Sequence, residues 1–174
     1  MTDNPEVARR VRHWATQSRE PLPWYEHREI GYNYRMSNVL AALGRSQLSK
    51  LPETIRRRRA IRDHYAAALD GIPGLTVTGD PPWGSGNGWL TTVVFDNETH
   101  PSAAVRIRKA LDAVHIEARP LWKPMHTQPI FAQADAVLVG VADRLFREGL
   151  CLPSGTRLSE AELDRVITIV TTEL

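Results

Sequence analysis

The order of elements along this chain predicts an α+β fold: one long kinked helix, then a small, mostly antiparallel sheet covered by helices on one side. Three observations carry that reading. Leu40, Leu43, Leu48 and Leu51 recur at helical spacing, and Ile55, Ile61, Tyr65 and Leu69 continue the pattern beyond Pro52. Trp89–Phe95 (WLTTVVF) is dense in β-branched and aromatic residues and reads as a strand. The whole order, long helix, strand, strand, helix, strand, helix and helix, suits a small mostly antiparallel sheet with helices over it.

Taken in order, Asn4-Pro5-Glu6 opens a helix with proline suited to the first helical position, and Val7, Val11 and Trp14 give it an apolar stripe to about Thr16. Gln17–Pro23 is a loop. Trp24–Arg35 packs aromatic, charged and glycine residues together, and Ser37 is placed to cap the long helix, since its hydroxyl can accept a backbone N–H of the first turn. Pro52 predicts a kink or a fresh helical start, and Gly71 a left-handed stop. Leu75–Thr78 is a short strand, Gly79–Gly88 a loop, and Pro101–Val114 a helix with Val105, Ile107, Ala110, Leu111 and Val114 as its apolar positions. Ile116–Ala118 is a third strand, and the prolines of Arg119–Pro129 exclude regular structure there. Ala136–Arg147 is a helix closed by Gly149. Ser159-x-x-Glu162 is a capping box before Leu163, Val166, Ile167 and Val170.

Composition narrows the function classes. The chain has 174 residues, 42% hydrophobic and 24% charged, which suits one well-cored soluble domain and is short for two. No apolar run approaches the roughly 20 residues of a membrane span. Met1-Thr2-Asp3-Asn4 has neither the basic start nor the apolar core of a signal peptide. A single cysteine, Cys151, allows no internal disulfide, so the expected setting is the reducing cytoplasm, with Cys151 a small buried hydrophobe. A net charge of +2 does not argue for nucleic acid. Arg56–Arg59 spreads around a helix instead of forming a stripe and reads as a solvated face. The six histidines are scattered without metal-ligand spacing, and no phosphate-loop or dinucleotide fingerprint is present.

Two segments could carry chemistry. In Gly31-Tyr32-Asn33-Tyr34-Arg35, composition alone makes Asn33 and Gly31 turn residues and the tyrosines packing residues. In Trp122-Lys123-Pro124-Met125-His126, a histidine sits in a proline-stiffened segment with Arg119 and Lys123 close in sequence; by itself a lone histidine of this kind reads as structural or merely exposed. His27 is open between pocket and packing roles.

Three stretches also carry a resemblance: YEHREIGYNYRMSNVLAALGRSQLSKL (Tyr25–Leu51), HIEARPLWKPMHTQPIF (His115–Phe131) and GLCLPSG (Gly149–Gly155). Together they resemble the C-terminal part of DegT-type nucleotide-sugar aminotransferases, enzymes of fold-type I that use pyridoxal 5'-phosphate (PLP). The resemblance runs from Thr2 to Leu174. It implies that 1–36 is a remnant of the large domain with an active-site loop, 37–71 a long connecting helix, and 72–174 the small C-terminal α+β domain. It implies that the loop reaches across a dimer interface to the neighbour's PLP, with Asn33 at the cofactor phosphate and Arg35 either beside it or in an interface ion pair. It further implies that His126, Arg119, Lys123, Tyr32 and His27 line the substrate pocket, near the sugar or its diphosphate.

The family's cofactor lysine has no counterpart here. Lys50 and Lys109 fall on predicted helices and Lys123 belongs to the substrate segment, so no catalytic residue is assigned. The chain therefore reads as the middle and end of a longer ancestor. The expectation is a C-terminal portion working on a 4-keto-6-deoxy nucleotide sugar, with PLP bound only alongside a lysine-bearing partner; the expected partners are a lysine-bearing N-terminal half, a second copy of the chain, or both. The alternatives are a non-catalytic remnant acting as a binding or scaffold module, and a free-standing enzyme built on His126. Apolar surface on the long helix and the Trp24–Tyr34 loop is expected to lie uncovered.

Overall fold

The computed structural model describes residues 2–174, so Met1 lies outside it. The chain falls into two compact units, Met1–Lys50 and Leu51–Leu174.

In the first unit, α1 spans Pro5–Ala15, and the Asn4 side chain accepts the N–H groups of Glu6 and Val7 at 3.0 and 3.2 Å. The Thr16 hydroxyl closes the other end on the carbonyls of Arg12 and His13. Gln17 and Ser18 then both adopt left-handed backbone, with φ of 65° and 52°, and turn the chain back along the helix end. Tyr32 N–H donates to Trp14, Tyr34 N–H to Ala15 and Gln17 N–H to Tyr32, pinning the returning strand-like segment. Glycine is required at position 31: a Cβ there would stand 2.3 Å from Ser18 Oγ. Among the described residues of this unit only Ser18 is buried, and its hydroxyl has no partner. Val7, Trp24, Tyr25, Ile30, Tyr34 and Met36 are all exposed, as expected for the uncovered loop surface.

Helix α2 spans Asn38–Leu69. Ser37 caps it as anticipated, its hydroxyl accepting the Leu40 N–H at 3.3 Å. Pro52 gives no fresh start: the helix is continuous through it. One proline deletes a single N–H donor, and the turns on either side keep the remaining hydrogen bonds. The helix ends before Gly71, which takes the left-handed φ of 78° expected of it.

The second unit holds the sheet: β1 (Leu75–Val77), β2 (Thr91–Phe95), β3 (Arg119–Pro120) and β4 (Gly149–Leu152), in the order β1-β2-β4-β3, antiparallel throughout. Its helices are α3 (Ala103–Ala113), α4 (Val141–Glu148) and α5 (Glu160–Thr172). Val93 and Phe95 of β2 and Leu150 and Leu152 of β4 join Ile61, Tyr65 and Leu69 of α2, Ile107 and Leu111 of α3, and Leu163, Val166 and Val170 of α5 in one buried cluster. Burying a side chain of this size stabilises by about 1.5–3 kcal/mol, so this cluster is what holds the unit.

Several expectations shift. The third strand is Arg119–Pro120, not Ile116–Ala118, because the pairing partner is Cys151-Leu150 of β4. Beyond it, Met125–Thr127 and Pro129–Phe131 form short 3₁₀ turns in the segment read as irregular. Helix α4 begins at Val141, not Ala136. Gly149 does close α4, as its C-cap, in extended backbone with φ of −103°, and it also opens β4. It is glycine for space, since a Cβ would lie 2.2 Å from Leu121 Cδ1. In α3, Val105 and Val114 are exposed, and Ala103 and Ala104 take the buried places instead.

The arginine run is not a solvated face either. Arg57, Arg59 and Arg62 are partly buried; Arg57 ties α2 to the segment before α5, and Arg59 and Arg62 tie it to the Gly79–Gly88 loop. Arg57 donates to the carbonyl of Leu158 at 2.5 Å, Arg59 to that of Gly86 at 2.8 Å, and Arg62 to Asp80 at 2.6 Å. Only Arg56, paired with Glu53, stays fully at the surface.

Candidate functional site

Asn33 and Arg35 come together. Both line a hollow of about 480 Å³ in the first unit, with Thr16, Gln17, Arg19, Glu20, Tyr25 and neighbouring residues. Asn33 is placed by its bridge to Thr16, and its side-chain oxygen accepts the Arg35 N–H at 3.3 Å. That bond leaves the amide NH₂ of Asn33 as a donor for something else. Arg19, which the sequence did not single out, lies over the Tyr25 ring at 4.1 Å and adds a second guanidinium to the same wall. Glu20 is the one carboxylate lining the hollow.

The remaining loop residues are placed differently. Tyr32 does not line this hollow; its exposed ring lies 5.9 Å from that of Tyr34. His27 donates from Nδ1 to the Gln17 carbonyl at 2.9 Å and is bridged to Arg19 through backbone, so its ring braces the loop.

In the second unit, Arg119, His126 and Lys123 are not gathered around one cavity. Arg119 lines a hollow of about 670 Å³ with Trp89, Trp122, Phe146 and Cys151, and its guanidinium is held by Glu117 at 2.7 Å. The Trp89 and Trp122 rings are tilted against each other at 6.0 Å and form an aromatic wall. Burial pushes the Cys151 thiol up, although Arg119 pulls the other way, so it is protonated and unreactive at neutral pH. Ser154 also lines this hollow, but its hydroxyl is committed: it accepts the Thr91 N–H at 2.8 Å and donates to Leu152.

His126 lines a separate cavity of about 370 Å³ with Met125, Phe131 and Asp135, and its Nε2 is 2.9 Å from Asp143 Oδ1. Sequence reasoning missed this pair, because 17 residues separate its members and nothing local links them. Lys123 lines none of the three hollows; nor does Lys50 or Lys109, and all three are exposed. Among the described residues no group of His, Cys, Asp and Glu is placed to hold a metal ion, and no helix is long and apolar enough to cross a membrane.

The profile of the DegT/DnrJ/EryC1/StrS aminotransferases matches residues 1–171. The chain belongs to that family. EpsN of Bacillus subtilis (strain 168), which carries the name of a pyridoxal phosphate-dependent aminotransferase, is 42% identical over 98% of this chain and 44% of its own length. The GDP-perosamine synthase of Caulobacter vibrioides is 31% identical over 95% of this chain and 45% of its own. Among solved structures, the aminotransferase TlmJ from Streptoalloteichus hindustanus superposes with a TM-score of 0.81 at 28% identity, over 98% of this chain and 45% of TlmJ. The chain thus spans less than half the length of these DegT-type relatives. Fold-type I aminotransferases share its helices and small antiparallel sheet, the architecture the sequence predicted.

Proposed function

We propose that this chain is the C-terminal portion of a PLP-dependent aminotransferase that converts a 4-keto-6-deoxy nucleotide sugar to its 4-amino product, with glutamate as amino donor. The observation that carries this reading is the family match over nearly the whole chain, joined to a donor set in the first unit that suits a phosphate. The unengaged amide of Asn33 and the guanidiniums of Arg35 and Arg19 face one hollow, and amide and guanidinium N–H groups are strong partners for a dianion.

The cofactor, when bound, supplies an electron-withdrawing ring that stabilises negative charge at the carbon bearing the amine. This chain's residues fit its phosphate end and not its reactive end, since none of Lys50, Lys109 and Lys123 lines the hollow. We therefore assign the cofactor lysine to a large-domain portion, acting with this chain in a dimer and in the cytoplasm. Arg119, Lys123 and His126 are assigned to substrate binding, as is Tyr32; His27 serves the loop. Domain roles follow the same division: residues 1–36 complete the cofactor site, 37–71 connect, and 72–174 form the substrate side.

Two experiments test this. Purified chain titrated with PLP before borohydride is expected to give no saturable one-to-one adduct confined to one of its three lysines; such a site-selective stoichiometric adduct overturns the assignment. Co-expression with a lysine-bearing large-domain portion is expected to give a PLP-containing complex that aminates the keto sugar. Failure of the two to associate favours a non-catalytic binding module, a reading that the absence of lysine from the three cavities also suits.

A further inference from the structure

The His126–Asp143 pair assigns a more specific role to His126 than contact with a charged group. An ionised carboxylate only accepts hydrogen bonds, so the 2.9 Å contact puts a hydrogen on Nε2, and a ring with one N–H then has a bare Nδ1. His126 lines the 370 Å³ cavity and Asp143 does not, so the polar atom left for a ligand is Nδ1, an acceptor. The surroundings oppose a phosphate. Met125, Phe131, Val137 and Leu138 make the wall apolar, and Asp135 is the one carboxylate on it, with no lysine or arginine. Arg119 and Lys123, the cations that would neutralise a diphosphate, line other surfaces or none.

We infer that Asp143 is a positioning residue that locks His126 as the Nε2–H tautomer, so that Nδ1 accepts a hydrogen bond from a hydroxyl of the sugar and does not hold the diphosphate. The geometry behind the lock is built in. Met125–Thr127 is a 3₁₀ turn, Thr127 donates its hydroxyl to the Pro124 carbonyl at 2.8 Å, and Asp143 stands in the first turn of α4. Both partners are therefore carried on short ordered elements, which hold a side-chain pair more tightly than two free loops.

The sugar assignment rests on the aminotransferase reading; the tautomer lock does not. The full chain, labelled with ¹⁵N, is measured by long-range proton–nitrogen NMR at neutral pH, with His126 identified by comparison with His126→Gln. The wild type is expected to show the Nε2–H tautomer. Asp143→Asn keeps an acceptor oxygen and retains it, whereas Asp143→Ala loses the preference. A wild-type Nδ1–H ring or tautomer mixture overturns the lock even if Asp143→Ala does not fold, and so does an unchanged tautomer in that variant. In the co-expressed complex, Asp143→Ala raises KM for the nucleotide sugar about tenfold, the factor for one lost hydrogen bond, with kcat nearly unchanged. Inhibition by inorganic pyrophosphate stays equal in the two proteins. An unchanged KM, or weakened pyrophosphate inhibition, overturns the sugar assignment. If no version of the complex is active, the aminotransferase reading fails, and the NMR result alone decides the lock.

Discussion

Residues 2–50 and 51–174 use similar side chains to opposite ends. The second unit buries its apolar residues in one cluster reaching from Ile61 to Val170, while the first buries no hydrophobic side chain at all. Both carry amphipathic helices: α1 shows Val7, Val11 and Trp14 on one stripe, just as α5 shows Leu163, Val166 and Val170. Amphipathicity specifies that a face wants covering; only the fold decides whether the same chain covers it. The second unit is thus held by burial, and the first by caps, bridges and returning backbone hydrogen bonds, which individually contribute only about 1 kcal/mol.

The sharpest way to break this contrast is to remove one large side chain from each region. Phe95→Ala, in the central cluster, is expected to lower unfolding free energy by about 3–5 kcal/mol in urea titrations. Leu43→Ala, on the exposed half of α2, is expected to change it by less than about 0.5 kcal/mol. Comparable losses at the two positions would mean that the first unit contributes a core after all.

Next in size is association. The exposed Val39, Leu40, Leu43 and Leu48 on α2, with Ile30 and Met36 before it, leave apolar area in contact with water. The chain is expected to self-associate in analytical ultracentrifugation, and Leu40→Glu with Leu43→Glu is expected to shift it towards monomer without loss of helicity. A monomeric wild type at high concentration would show that these side chains need no cover.

The same contrast explains what the sequence disclosed. Signals confined to a few neighbouring residues were legible: Pro5 at the first helical position, Ser37 and Ser159 as caps, Gly71 as a stop, and the β-branched run of β2. Features fixed by distant partners were not. Strand β4 is only Gly149–Leu152, wholly buried between β2 and β3, so it shows no alternation, and its first residue is also the end of α4. The register of β3 depends on β4 and moved with it. Arg57, Arg59 and Arg62 found carbonyls and a carboxylate 18 to 101 residues away, which no periodicity reveals. At the site, Asn33 and Arg35 are neighbours in sequence and share a hollow, whereas Arg119, Lys123 and His126 are nearly as close in sequence and do not. Arg119 belongs to strand β3 and His126 to the 3₁₀ turn Met125–Thr127, with Lys123 on the irregular segment between them, so the three line different surfaces.

A smaller effect is expected at the arginine clamps. Arg57→Ala removes a charged donor from the partly buried Leu158 carbonyl and is expected to cost about 1–2 kcal/mol. Arg57→Lys is expected to recover little of this, because an ammonium lacks the planar fork that also reaches Thr156. Arg56→Ala, whose partner Glu53 is exposed, is expected to be near neutral. If Arg56 and Arg57 cost the same, the run acts as a general basic face and the clamp reading fails.

The smallest effect is pH-dependent and belongs to the cap of α5. Ser159 accepts the Glu162 N–H at 3.3 Å, and the Glu162 carboxylate accepts both the N–H and the hydroxyl of Ser159 at 2.8 Å. The backbone N–H of Ser159, and secondarily its hydroxyl, hold the Glu162 carboxyl below its ordinary value of 4.5. A depressed folded-state value means that the stabilisation is fully present above the unfolded value and is lost as pH falls through the folded one. Glu162→Gln is therefore expected to flatten the acid limb of a stability–pH curve below about pH 4.5 while changing little at neutral pH. Ser159→Ala removes the hydroxyl from both bonds and is expected to cost about 1 kcal/mol at neutral pH as well. Because the cap lies in the second unit, both changes are read in the same cooperative urea transition as Phe95→Ala. If Glu162→Gln leaves the acid limb as steep as in the wild type, the Ser159–Glu162 bonds do not persist in solution and the helix is held by its buried face alone.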